Sequence, residues 1–335
     1  MNNLAGLLHS SGDYDRALPM YQGALKVKQK AYGTEHPDVA ATMNNIGLLL
    51  KAQGKLKEAE EYYVKALEMQ KGLYGEVHPD IAATINNMAA LFMKQERKFE
   101  ARDAYKKSVA MRTTIFGMDH PAVASTLNNF GGFLFMLRDY TQASDMFNEA
   151  IRIRKKVLGE EHPSVAETLG NLGLLYYSKG EFHESIQLYE KSLNIKIAAF
   201  GSNNVTVGNT MSAMAKVFHK KKEYDRSIEL YEGAYQILCI VLGDKHVTTK
   251  ACLENVSKVD RDRRDAAMIS RAGTSGSSNS RSSRSGRQKT GFGPPSPPTP
   301  SALHTMGTTK EFESAHMMEG MEEGEGSMFG DVKEW

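Results

Sequence analysis

Cysteine is scarce in this chain, with only Cys239 and Cys252 among 335 residues. Two thiols cannot build a disulfide framework, so both read as buried helix residues in a reducing compartment. Charge imbalance is lacking too. The net charge is +2, which makes no electrostatic case for nucleic acid or an anionic membrane as a partner. No apolar run approaches the roughly 18 residues of a membrane span. The N-terminus, MNNLAGLLHSSGDYD, has no cationic region ahead of its apolar residues and does not read as a signal peptide. Glycine-rich phosphate loops, nucleophile elbows and His-x-x-x-His pairs are missing as well. These gaps point to a cytoplasmic non-enzyme without cofactor. Its residues are 41% hydrophobic and 24% charged, which suits one large folded domain or two modest ones.

What the chain has is repetition. Gly33-Thr-Glu-His-Pro37 recurs as Gly75-Glu-Val-His-Pro79, Gly117-Met-Asp-His-Pro121 and Gly159-Glu-Glu-His-Pro163. Weaker copies are Gly201-Ser-Asn-Asn-Val205 and Gly243-Asp-Lys-His-Val247, and each glycine follows the last by 42 residues. A fixed period of this size signals a stacked array of supersecondary units. The expected fold is all-α, a right-handed superhelical solenoid of helix-turn-helix repeats.

Each unit reads as two helices. Pro37 suits a first helical turn, and Asp38 meets the positive end of the helix dipole. Met43, Ile46, Gly47 and Leu50 follow on one buried face, and Gly54 serves as a left-handed C-cap. A second helix begins near Leu56 and turns Ala59, Tyr63, Ala66, Leu67 and Leu73 inward. One apolar column is Leu4, Ile46, Met88, Phe130, Leu172, Met214, and the small column Ala5, Gly47, Ala89, Gly131, Gly173, Ala215 lets paired helices approach closely. The aromatic column Tyr21, Tyr63, Tyr105, Phe147, Tyr189, Tyr231 fills the core. Glu96, Arg138 and Lys222 replace the glycine between helices, so those turns are expected to be less favourable. Phe99 sits one place late, which predicts a shifted turn in its unit.

Asn171-Leu-Gly-Leu-Leu-Tyr176, Gly180 and Ser185-Ile-Gln-Leu-Tyr189 resemble the tetratricopeptide pattern, in a unit longer than the usual length of about 34 residues. The 42-residue unit, with Gly-x-x-His-Pro and Asn-Asn, is similar to the kinesin light chain and nephrocystin-like subclass over residues 1–245. The expected organisation is a partial repeat at 1–32, repeats starting near 33, 75, 117, 159 and 201, a capping helix at 246–270 and a disordered tail at 271–335. Met1-Asn-Asn aligns with Met43-Asn44-Asn45, so the chain reads as starting in mid-helix, as a fragment or with a partner over that edge.

A shared metal site at the histidines fails on distance. Packed helices stand about 8–10 Å apart, whereas zinc ligands sit at about 2 Å. His and Pro instead shape the turn into each first helix. First helices line the concave side of such arrays, so Asn44, Asn86 and Asn128 are expected to face a groove. Asn45, Asn87, Asn129 and Asn171 flank them. Asparagine offers both donor and acceptor to an extended peptide, and asparagines tying neighbouring helices together are the structural alternative. Phe135 and Tyr177 supply apolar pockets. Lys51, Lys94, Lys216 and Lys220 favour acidic peptide motifs. The resemblance implies that the groove asparagines hold peptide backbones, and that the chain is a scaffold, sharpened to a cytoskeleton-associated cargo adaptor for kinesin heavy chain. The rival reading is a regulatory or sensor array cut from a larger protein.

Composition breaks after residue 270. Ser296 and Thr299 precede prolines and read as phosphosites, and PPSPPTP suits SH3 or WW grooves. The last 25 residues carry eight acids against Lys333 and end in Trp335, the only tryptophan. The resemblance suggests that residues 319–335 fold back into the groove as an autoinhibitory pseudo-ligand.

Overall fold

The computed structural model of this chain describes residues 2–10 and 12–275. They form helix pairs in sequence order. The first two pairs are α1 (Asn2–Ser10) with α2 (Tyr14–Tyr32), and α3 (Pro37–Ala52) with α4 (Leu56–Tyr74). Next come α5 (Pro79–Lys94) with α6 (Lys98–Phe116), and α7 (Pro121–Met136) with α8 (Tyr140–Leu158). The last pairs are α9 (Pro163–Lys179) with α10 (Phe182–Phe200), and α11 (Val205–Lys220) with α12 (Tyr224–Leu242). A single helix, α13 (Val247–Ser275), closes the array. The described residues contain no strand, and the fold is the expected all-α solenoid.

The His-Pro step is capping chemistry. Nδ1 of His36, His78, His120 and His162 accepts the backbone N–H two residues on, at 3.1–3.2 Å. Proline then occupies the first turn, where its missing N–H costs nothing. Asn204 and His246 do the same for Thr206 and Thr248. Tyr32, Tyr74 and Phe116 stack on the first three imidazoles, with centroids 4.5, 3.7 and 4.1 Å apart. The histidines therefore serve the architecture. The period itself rests on glycine. Gly33 lies at φ 87°, ψ 175° and Gly159 at φ 91°, ψ 160°, a region essentially closed to other residues.

The turns inside the units match one expectation and correct another. Glu96, Arg138 and Lys222 adopt φ of 61°, 61° and 63°, the left-handed conformation that Gly12, Gly54 and Gly180 take in the other units. The turn at Phe99 is not shifted. Helix α6 starts at Lys98, in register with Tyr14, Leu56 and Tyr140, and Phe99 stands 92% exposed. In the same turn Arg97 covers the Phe92 ring at 4.2 Å and pairs with Glu60 at 2.6 Å.

The core runs along the seam between the two layers of helices. Ala17, Ala59, Ala101 and Ala143 are fully buried, as is Tyr63. A Cβ at Gly47 would lie 2.7 Å from the Tyr63 ring, and one at Gly131 would lie 2.9 Å from Phe147. Glycine therefore sets how closely these pairs pack. Two expected core residues are outside it. Leu73, in the last turn of α4, is 38% exposed, and Leu4 is 48% exposed on α1, which has no described helix on its outer side.

Successive first helices touch, α3 with α5, α5 with α7, α7 with α9 and α9 with α11, and second helices touch one another less. The array therefore curves with the first helices on its inner, concave side.

Candidate functional site

The inner face carries a ladder of amides. Asn87 Nδ2 donates to Asn44 Oδ1 at 3.3 Å, Asn129 to Asn86 at 3.4 Å and Asn171 to Asn128 at 3.0 Å. Each rung joins a first helix to the next, so these asparagines do tie neighbouring helices together. An amide has two N–H groups and an oxygen with two lone pairs. A rung uses one of each and leaves the rest. Asn44, Asn45, Asn86, Asn87, Asn129 and Asn171 are half-buried. The oxygen of Asn129 is buried without a hydrogen-bond partner.

Three residues expected on the open face are buried. Lys51 is 5% exposed, Asn128 2% and Phe135 8%. The reason is curvature: adjacent first helices crowd together on the inside of the bend and close over them. Phe135 packs in the core with its ring 5.8 Å from Tyr140. Lys94 reaches back across the face to the Lys51 carbonyl at 3.5 Å. Tyr177 is half-buried, and burial pushes its phenol up while the Lys258 ammonium pulls the other way. Helix α13 thus borders the face beside Tyr177, and its Asp262 meets His219 of α11 at 2.7 Å.

Two shallow hollows mark the turn edge. One of about 370 Å³ is lined by Tyr177, Ser178, Lys179, Gly180, Phe182 and Lys220. The other, about 400 Å³, occupies the equivalent place near the start, lined by Asp13, Tyr14, Gln53 and Lys55 among others. Among the described residues, no group of three His, Cys, Asp or Glu could hold a metal ion. No helix there is long and apolar enough to cross a membrane. Ser296, Thr299 and Trp335 lie outside the described residues.

Sequence reading missed a second polar column, at 28, 70, 112, 154 and 196, in the second helices. Lys28 bonds Thr42 at 3.0 Å, Gln70 bonds Thr84 at 2.8 Å and Arg112 bonds Thr126 at 2.8 Å. Arg154 bonds Thr168 at 2.6 Å and Lys196 bonds Thr210 at 2.8 Å. Each pair clasps a second helix to the following first helix. The signal was present as a long polar residue recurring every 42 positions on an otherwise apolar face.

The sequence pattern of the tetratricopeptide repeat matches residues 1–72, 80–156 and 122–198, and a second tetratricopeptide pattern matches 207–248. Together these cover more than half of the chain. The chain belongs to the tetratricopeptide repeat family. Solved structures share the fold. BtubC (BKLC) from P. vanneervenii is 18% identical with a TM-score of 0.55, covering 83% of this chain and 99% of its own. The nearly identical TPR-like repeats of a Podosopora anserina protein named for kinesin light chain are 19% identical with a TM-score of 0.52. That match covers 61% of this chain and 97% of the other, and a singly substituted form of the same protein scores 0.54. No curated protein matches the sequence significantly. Tetratricopeptide arrays are protein–protein interaction scaffolds, and this chain has that architecture.

Proposed function

We propose that this chain is a non-catalytic scaffold whose inner face holds an extended segment of another protein. The observation that carries the reading is the amide ladder. Its rungs leave side-chain N–H groups unused on half-buried Asn44 and Asn86. The carbonyls of a peptide backbone are their complement. With first helices about 8–10 Å apart and an extended chain rising about 3.3 Å per residue, one unit meets about three peptide residues. Tyr177 at the C-terminal end of the face supplies an apolar contact, and Lys94, Lys216 and Lys220 favour an acidic segment. The open part of the groove is narrower than the sequence reading, because Asn128, Phe135 and Lys51 sit inside the bend. Adapting cargo to a kinesin-type motor is the finer form of this proposal, supported by the naming of the Podosopora anserina protein.

The test is selection of binding peptides from a random library against the whole chain, followed by affinity measurement. Asn44→Ala and Asn86→Ala should each weaken the selected peptides by about 0.5–1.5 kcal/mol per lost hydrogen bond, with helicity unchanged by circular dichroism. Peptides that bind both variants as tightly as the parent would place the site elsewhere.

A further inference from the structure

The seam between α10 and α11 is built differently from the three before it. At α4/α5, α6/α7 and α8/α9 a rung and a clasp act together. There the rungs span α3 to α5, α5 to α7 and α7 to α9, and the clasp is Gln70, Arg112 or Arg154. Between α9 and α11 no amide rung can form. Gly170 stands where Asn44, Asn86 and Asn128 stand, and Ala213 stands where Asn87, Asn129 and Asn171 stand.

The clasp has a single partner, as Gln70 has at α4/α5, but here no rung stands beside it. Arg112 and Arg154 each hold a threonine hydroxyl and also a backbone carbonyl, of Ala122 at 2.7 Å and of Ser164 at 2.5 Å. Lys196 is held by Thr210 at 2.8 Å, with Glu167 of α9 as the nearby opposite charge. Glu167 itself pairs with Arg154 at 3.3 Å. A lysine is a point donor, whereas an arginine fork fixes two acceptors in one plane. The loop leading into α11 also lacks the proline and stacked histidine of α3, α5 and α7.

Beyond this seam the array tightens again. Asp262 holds His219, Asp225 holds Arg263 at 2.7 Å, and Cys252 donates to the Tyr231 carbonyl at 3.3 Å. The seam thus lies between stretches that carry more polar ties. The hollow of about 370 Å³ crosses it, with Tyr177, Lys179 and Phe182 on one side and Lys220 on the other.

We propose that the solenoid flexes at the α10/α11 seam, so that α3–α10 and α11–α13 move as two arms and the hollow between Tyr177 and Lys220 opens and closes. The hinge rests on the two missing asparagines and the single-point clasp, so it stands or falls separately from the proposed peptide site.

Spin labels on exposed second-helix positions read the motion directly. A pair at Glu190 and Glu232 spans the seam, and a pair at Lys106 and Asn148 spans the equivalent positions two units earlier. Both are measured in the full chain with Cys239→Ser. The 190/232 distance distribution is expected to be broader than the 106/148 one. Gly170→Asn with Ala213→Asn and Lys196→Arg should narrow it to the earlier pair's width. A Cβ at Gly170 would meet only Ser192 Oγ, at 3.7 Å, so the position has room. Conversely, Asn129→Ala should broaden the 106/148 distribution. Equal widths in the parent chain would overturn the hinge. A folded triple variant that stays broad, or an unchanged 106/148 width in Asn129→Ala, would overturn its assigned cause.

Discussion

Alanine at Gly47 sets helix propensity against packing, and the structure says which should win. Gly47 lies inside α3 facing Tyr63, whose ring is fully buried and cannot swing into solvent. A Cβ there would sit 2.7 Å from Cε1 and 2.8 Å from Cδ1 of that ring. Carbon–carbon contacts are favourable at about 3.5–4.0 Å, so the overlap is close to an ångström. Overpacking of this kind costs about 1–3 kcal/mol. Replacing a helical glycine by alanine returns about 1 kcal/mol. Gly47→Ala should therefore lower stability, by up to about 2 kcal/mol. Gly131, at 2.9 Å from Phe147, should follow at lower cost. Gly173, whose nearest ring atoms of Tyr189 are 3.3 Å away, should be neutral or gain a little. Ala5, Ala89 and Ala215 occupy this column in the other units, so the cost belongs to pairs built around glycine. The assay is urea denaturation followed by circular dichroism, with hydrogen exchange of α3, α7 and α9 to localise the effect in an array that need not unfold in one step. A Gly47→Ala variant as stable as Gly173→Ala would refute the packing argument.

Two further outcomes follow from backbone and charge. Glycine at Glu96, Arg138 or Lys222 should raise the midpoint of thermal unfolding. Left-handed backbone costs a side-chain-bearing residue about 1–2 kcal/mol, offset in part by the freer unfolded chain. A fall in all three would contradict the observed φ values. Desolvation pulls the Lys196 ammonium down to about 8, whereas an unfolded lysine titrates near about 10.4. Between those values the unfolded chain binds more protons than the folded one, so this residue makes stability rise with pH across that window and contribute a constant penalty below it. Lys196→Gln copies the Gln70–Thr84 pair and should remove that slope from the difference between variant and parent. Parallel stability curves from pH 8 to 10 would rule out a desolvated lysine here.

Much of this protein was legible in one dimension. A Gly-His-Pro phrase every 42 residues is both punctuation and chemistry. Glycine is required by a positive φ with extended ψ, histidine by a capping acceptor and proline by a first turn. Each requirement is local, and so each is visible in the residue itself. The expected core columns were right where a helix covers them and wrong at Leu4 and Leu73, because coverage depends on neighbours. The shift expected at Phe99 did not occur, since register is set by the αL residue at Glu96 and by Arg97, which packs on Phe92 in the same turn.

The inner face divides along the same line. Sequence periodicity by itself placed Asn44, Asn86 and Asn128 on one stripe with Asn45, Asn87, Asn129 and Asn171 beside it. Only the tertiary structure decided that Asn87, Asn129 and Asn171 donate to the first asparagine of the preceding unit. It also decided that curvature buries Asn128, Phe135 and Lys51, and that Lys196 and Thr210 meet across a seam with no rung. Those outcomes depend on the angle between successive helix pairs. That angle is a sum of many packing contacts between units, and no single repeat encodes it.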